Sequence, residues 1–114
     1  MTTSSDVIDR QVAAANRRDI EGFVACYAPD AKVTQPDGST LASGREQIGS
    51  VYGAMFENSP GLRVEIRNRI AVGTVVIDEE FITGFILPGR PTELHAAVVY
   101  HVANGLIQGA QLVG

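Results

Sequence analysis

The second half of the chain restricts its fold most. From Leu62 onward four strand-like segments follow one another, Leu62–Val72, Val75–Leu87, Thr92–Ala103 and Leu106–Val113. The turns between them are Gly73-Thr74, Pro88-Gly89-Arg90-Pro91 and Asn104-Gly105. Asn-Gly is a strong hairpin signal, because its turn type needs positive φ at both central residues. Connections this short join antiparallel neighbours and leave no room for a crossover helix. The segment Leu62–Val72 alternates, with Val64, Ile66, Ile70 and Val72 on one side and Arg63, Glu65, Arg67 and Arg69 on the other.

The first half reads differently. Val7, Ile8, Gln11, Val12 and Ala15 recur at helical spacing. Ser4 or Ser5 caps this helix, and Asp6 and Asp9 suit the positive end of its dipole. Asp19 caps a second, short helix with Ile20, Phe23, Val24 and Tyr27 on its buried face; Pro29-Asp30 stops it. Ala31–Gln35 is a short strand, Pro36-Asp37-Gly38 a turn, and Thr40–Ala42 a return strand. Ser43-Gly44-Arg45-Glu46 has the S-x-x-E form of a capping box and opens a third helix. Its apolar face is Ile48, Val51, Tyr52, Met55 and Phe56. The predicted order is α-α-β-β-α followed by four antiparallel strands.

Two-residue loops at Gly73-Thr74, Gly89-Arg90 and Asn104-Gly105 fix a register, and register fixes neighbours. Arg69 then pairs with Asp78, Asn68 with Glu79, and Arg67 with Glu80. Across the next hairpin Asp78 meets His101, Glu79 meets Tyr100, and Glu80 meets Val99. The last hairpin sets Tyr100 against Gly109 and Val98 against Gln111. One face carries Asn68, Glu79 and Tyr100 among Ile66, Ile70, Phe81, Thr83, Val98 and Gln111, which is the profile of a small-molecule pocket roofed by the helices. The opposite face carries Arg69, Asp78 and His101, with Ala97, Val99, Ile82 and Ile86 left apolar. A second copy packed sheet against sheet would cover that outer face, so a homodimer is expected.

Composition narrows the function classes. The chain has 114 residues, enough for a single domain over 1–114, with 45% apolar and 19% charged residues. Nine basic and thirteen acidic side chains form no basic stripe, so no nucleic-acid partner is expected. No apolar run approaches the roughly 20 residues that span a bilayer, so no membrane partner is expected. The N-terminus does not read as a signal peptide, and with the single Cys26 the expected location is cytoplasmic. No cofactor and no metal site are expected.

The order of elements resembles the NTF2-like superfamily, whose members include ketosteroid isomerases, SnoaL-type polyketide cyclases and limonene epoxide hydrolases. Ala13-Ala14-Ala15-Asn16-Arg17-Arg18-Asp19-Ile20-Glu21-Gly22-Phe23 is similar to that family's junction between its first two helices. Tyr27-Ala28-Pro29-Asp30-Ala31-Lys32-Val33 is similar to the start of its first strand, and Asn104-Gly105-Leu106-Ile107 to its last hairpin. The resemblance implies an α+β, NTF2-like (cystatin-like) cone: three N-terminal helices packed on a curved antiparallel sheet, around a cavity for a small hydrophobic molecule. It implies no steroid isomerisation. The position of the general-base Asp is Gln35, before Pro36. That of the oxyanion-hole Tyr is Gln11, and that of the protonated Asp falls near Val98. An amide accepts no proton at neutral pH. Tyr27 on the second helix and Tyr52 on the third match supporting tyrosines of that family. The Asp-Arg-Asp cluster of limonene epoxide hydrolases is not evident, since the register puts Asp78 and Arg69 on the outer face.

Glu79 is the expected acid–base group, a carboxylate on an apolar wall whose pKa burial would raise. Tyr100 and Asn68 would orient it. Gln11, Tyr27, Gln35, Tyr52, Met55, Phe56, Phe81, Val98 and Gln111 are the expected ligand-binding residues, with Tyr52 or Gln35 polarising the ligand. His95 and His101 share the outer face, roughly 20 Å apart along one strand, too far to share a metal; His101 is expected beside Asp78. Cys26 reads as a small buried apolar residue. Two functions fit: an isomerase, cyclase or hydrolase working by acid–base chemistry, or a binding or dimerisation module without catalysis.

Overall fold

The computed structural model describes residues 3–86, 89 and 91–114. The elements are α1 (Ser4–Arg17), α2 (Ile20–Ala25), β1 (Tyr27–Thr34), β2 (Thr40–Ser43), α3 (Gly44–Asn58), β3 (Arg63–Val72), β4 (Val75–Thr83), β5 (Glu93–Ala103) and β6 (Leu106–Val113). All six strands form one sheet in the order β2-β1-β6-β5-β4-β3. The pairing of β1 with β6 is parallel and the others are antiparallel. The three helices pack on one face. Among the described residues no helix is long and apolar enough to cross a membrane.

Local chemistry sets the boundaries. The Thr3 backbone N–H donates to Asp6 Oδ2 at 2.9 Å, so Thr3 is the α1 cap rather than Ser4 or Ser5. Asp19 caps α2 as expected, accepting from the Gly22 N–H at 3.0 Å. The Ser43 N–H donates to Gln47 Oε1 at 2.8 Å, so Gln47 rather than Glu46 closes the start of α3. Tyr27 opens β1 instead of ending the second helix. The Ile107 N–H donates to the Cys26 carbonyl, and parallel pairing of Tyr27 with Ile107 draws the chain into the sheet before Ala31. The core joins Val7 and Ile8 of α1, Phe23 of α2 and Ile48 and Phe56 of α3 to Val76, Val98 and Ile107 of the sheet.

The first expected register holds at its turn: Arg69 pairs with Asp78 and Asn68 with Glu79. A bulge then leaves Arg67 unpaired, so Glu80 sits opposite Ile66 rather than Arg67. The bulge reverses the alternation of β3, turning Val64 and Ile66 toward the helices and Ile70 and Val72 away. Bulges of this kind also strengthen the local twist of a sheet.

The second expected register does not hold. Asp78 pairs with Val98, Glu79 with Ala97 and Glu80 with Ala96, three residues away from the expected partners. Strand β4 stops at Thr83, which pairs with Glu93, the first residue of β5, so the two strands are not joined by the expected two-residue turn. Leu87 of the expected strand and Pro88 and Arg90 of the expected turn lie outside the described residues. The chain leaves the sheet at Gly84, in the left-handed region at φ +71, where a Cβ would overlap the Gly61 carbonyl oxygen. The Ile86 N–H donates to Ser59 Oγ at 2.9 Å, anchoring the connection to the end of α3. In β6 a second bulge leaves Tyr100 opposite Ala110 and Val98 opposite Leu112, so neither Gly109 nor Gln111 takes its expected place.

Gly84→Ala meets both a disfavoured φ and a backbone clash, and it is expected to destabilise the fold by roughly 2 kcal/mol or more. Urea unfolding of the variant against wild type measures this.

Candidate functional site

The helices do not fill the face they cover. A cavity of about 350 Å³ remains between α1, α2, α3 and the sheet. Its walls are mostly apolar, including Phe23, Met55, Phe56, Val64, Ile82, Phe85, Val98 and Leu112. The polar groups that reach it are Gln11, Tyr27, Gln35, Tyr52, Asn58, Glu80 and Tyr100. Few polar groups on an apolar wall fix the orientation of a ligand.

Among the described residues Glu80 is the one carboxylate lining this space. It is 5% exposed. Burial pushes its pKa up to about 7; the Tyr100 hydrogen bond opposes the rise, Asp78 adds to it and Arg69 opposes it. The Tyr100 hydroxyl donates to Glu80 Oε2 at 3.0 Å. Among the described residues no protein group donates to Oε1. Gln11 Nε2 donates to the Tyr27 hydroxyl at 2.9 Å, which leaves the phenolic proton of Tyr27 free to be donated elsewhere. Burial raises the pKa values of Tyr27, Tyr52 and Tyr100, so all three stay neutral. The rings of Phe23, Tyr27, Tyr52 and Phe56 interlock, with Phe23 centroids 4.8 Å from Tyr52, 5.2 Å from Phe56 and 5.4 Å from Tyr27.

The expected site residues divide in two. Gln11, Tyr27, Gln35, Tyr52, Met55, Phe56, Val98 and Tyr100 line the cavity. Glu79, Asn68, Phe81 and Gln111 do not. Glu79 lies on the outer face, accepting from Asn68 Nδ2 at 2.6 Å with His95 Nε2 2.6 Å from its other oxygen. These partners, Asn68 first, hold its carboxyl below its usual range, the reverse of the expected rise. Phe81 lies on the same outer face with the Arg67 guanidinium 4.2 Å above its ring, and Gln111 is exposed. Ile82, expected outside, lines the cavity.

Asp78 and Arg69 are also displaced from the outer face. Asp78 is fully buried beneath α1. It accepts two hydrogen bonds from Arg69, at 2.6 and 2.9 Å, and Arg69 Nη1 donates to Asp9 on α1 at 2.7 Å. An Asp–Arg–Asp cluster is thus present, contrary to expectation, but it ties α1 to the sheet and does not line the cavity. His101 faces out opposite Val75 and does not meet Asp78. Cys26 is buried. Among the described residues no group of three or more His, Cys, Asp or Glu is placed to hold a metal.

Glu80 escapes a reading of the sequence because β4 carries acids on both faces. Asp78, Glu79 and Glu80 are consecutive, so alternation cannot say which of them points inward. The one available signal was Gly84, which ends the strand before Leu87.

The folded-state pKa of Glu80 lies above its ordinary value of 4.5, so between these values the folded chain holds a proton that the unfolded chain has released. Stability therefore falls as pH rises through this window. Urea unfolding is expected to show a loss of roughly 2 to 3 kcal/mol between pH 5 and pH 8 that Glu80→Gln abolishes.

Comparison with known proteins agrees with this architecture. The model of the SnoaL-like domain family matches residues 8–110. An uncharacterised cystatin-fold protein from Novosphingobium aromaticivorans superposes with a TM-score of 0.90 at 23% identity, over 100% of both chains. An NTF2-like protein of unknown function from Cytophaga hutchinsonii gives 0.80 at 16% identity, over 98% of this chain and 89% of that one. A protein of ketosteroid isomerase-like fold from Catenulispora acidiphila, in complex with trimethylamine, gives 0.77 at 19% identity, over 98% and 87%. The chain belongs to the SnoaL-like domain family, and its fold is the expected α+β, NTF2-like (cystatin-like) cone.

Proposed function

We propose that this SnoaL-like domain binds a small, predominantly apolar molecule in its cavity and exchanges a proton with it through Glu80. The observation that carries this is the placement of Glu80: a buried carboxyl on a cavity wall with a pKa near 7. A group titrating there is populated in both forms at neutral pH, which suits acid or base work. Tyr100 orients the carboxyl through Oε2 and leaves Oε1 for the ligand. Tyr27, held by Gln11, and Tyr52 offer neutral donors to a ligand oxygen or nitrogen. A cavity of about 350 Å³ takes on the order of 15 non-hydrogen atoms at interior packing density.

Calorimetry of an apolar ligand found by thermal shift tests this. Titration at pH 7 in two buffers of different ionisation enthalpy is expected to reveal net proton uptake or release on binding. Glu80→Gln is expected to remove that exchange. A flat thermal-shift response across an apolar library, or equal proton exchange in the variant, would contradict the reading.

We also propose that the outer sheet face packs against a second copy of the chain. Ile70 is 59% exposed, Val72 70% and Val113 43%, and all three lie on this face beside Ile77, Ala97 and Val99. A patch of this kind on an isolated chain marks an interaction surface. Arg67 and Glu79 place both charge signs on the same face, which suits a two-fold arrangement. Sedimentation at micromolar concentration is expected to give twice the 12.1 kDa chain mass, and Ile70→Lys to halve it.

A further inference from the structure

We infer that the cavity selects a ligand carrying a positively charged nitrogen, seated against Glu80 Oε1 and the surrounding aromatic rings. This rests on the reading of the cavity as the ligand site and names the chemistry of what fills it.

Charge bookkeeping around Glu80 is the first support. Buried carboxylates in folded proteins are paired with a cation or lose their charge. No Lys, Arg or His is among the described residues lining the cavity. Among the described residues the cation whose charge acts on Glu80 is Arg69 on β3, and it is already met by two carboxylates, Asp78 of β4 and Asp9 of α1. That cluster has one positive and two negative charges, so it has no positive charge to spare. The groups facing Glu80 from the other elements are Tyr100 of β5, Tyr52 of α3 and Tyr27 of β1, all neutral. Among the described residues the cavity wall thus supplies one hydrogen bond to Oε2 and no counter-ion.

The walls are the second support. Three phenol rings stand close enough to Glu80 to feel its charge, and Phe23 and Phe56 pack against two of them. Aromatic faces attract alkylammonium groups, and the attraction grows when water is excluded. Anions meet the opposite: a negative carboxylate, ring faces of negative potential and no cation. Carboxylate and phosphate ligands are therefore excluded from the same space.

A pair of probes of equal size and shape separates charge from shape: phenyltrimethylammonium and tert-butylbenzene. Binding is followed through the methyl resonances of Met55, Ile82 and Val98, which line the cavity. The ammonium is expected to bind at least ten-fold tighter than its neutral isostere at pH 8. Its affinity is expected to fall about ten-fold at pH 6, as ionised Glu80 drops from about nine-tenths to about one-tenth of the population. Glu80→Gln is expected to abolish the pH dependence and to weaken the ammonium about ten-fold at pH 8 without weakening tert-butylbenzene. The pH dependence of the wild type stands as a test by itself if that variant fails to fold. If tert-butylbenzene binds as well as the ammonium or better, the charge selectivity is wrong and the cavity reading stands. If neither probe binds, both are wrong.

Discussion

The pairing of β4 with β5 decides which side chains the helices cover. Asp78 beside Val98 and Glu80 beside Ala96 put two carboxyls on the inner face, where an apolar strand would be the simpler solution. A shift of one residue would send both to the outside and bring Glu79 in, because side chains alternate strictly along a strand. The geometry is held at both ends of the strand. At one end Gly84 turns the chain out of the sheet against Gly61. Near the other, Arg69 pairs with Asp78 and reaches Asp9, so α1 is tied to the sheet through charge-assisted hydrogen bonds.

The two inward carboxyls meet opposite fates. Asp78 has a bidentate guanidinium partner. Glu80, two residues on, is met among the described residues by the Tyr100 hydroxyl alone and faces the cavity. The cost of burying Asp78 is offset within the fold, whereas that of Glu80 is left to the proton or to a ligand. Tyr27, Tyr52 and Gln11 crowd the same end of the cavity without adding charge.

Much of this was legible in the sequence. The helices announce themselves through their spacing and caps, and the hairpin at Asn104-Gly105 forms as written. Gln11, Gln35, Tyr52, Met55, Phe56, Val98 and Tyr100 reach the cavity from the elements expected of them, whereas Tyr27 reaches it from β1 rather than from the second helix. The acid was misplaced because three acids stand in a row on β4 and apolar residues flank both faces. Only Gly84, which ends β4 after Thr83, could break that tie, and the Pro and Gly residues that follow it suggested a two-residue turn further along. The bulges at Arg67 and in β6 were invisible for a related reason. Each adds one residue to a strand without any distinctive composition, and each flips the alternation beyond it.

Glu80, not Glu79, is the buried acid of the cavity. Carbon-13 NMR of the side-chain carboxyls, assigned through Glu80→Gln, reads it directly. A midpoint near 7 is expected for Glu80 and one below the ordinary 4.5 for Glu79. A Glu80 midpoint near 4.5, or an elevated one at Glu79, would contradict it.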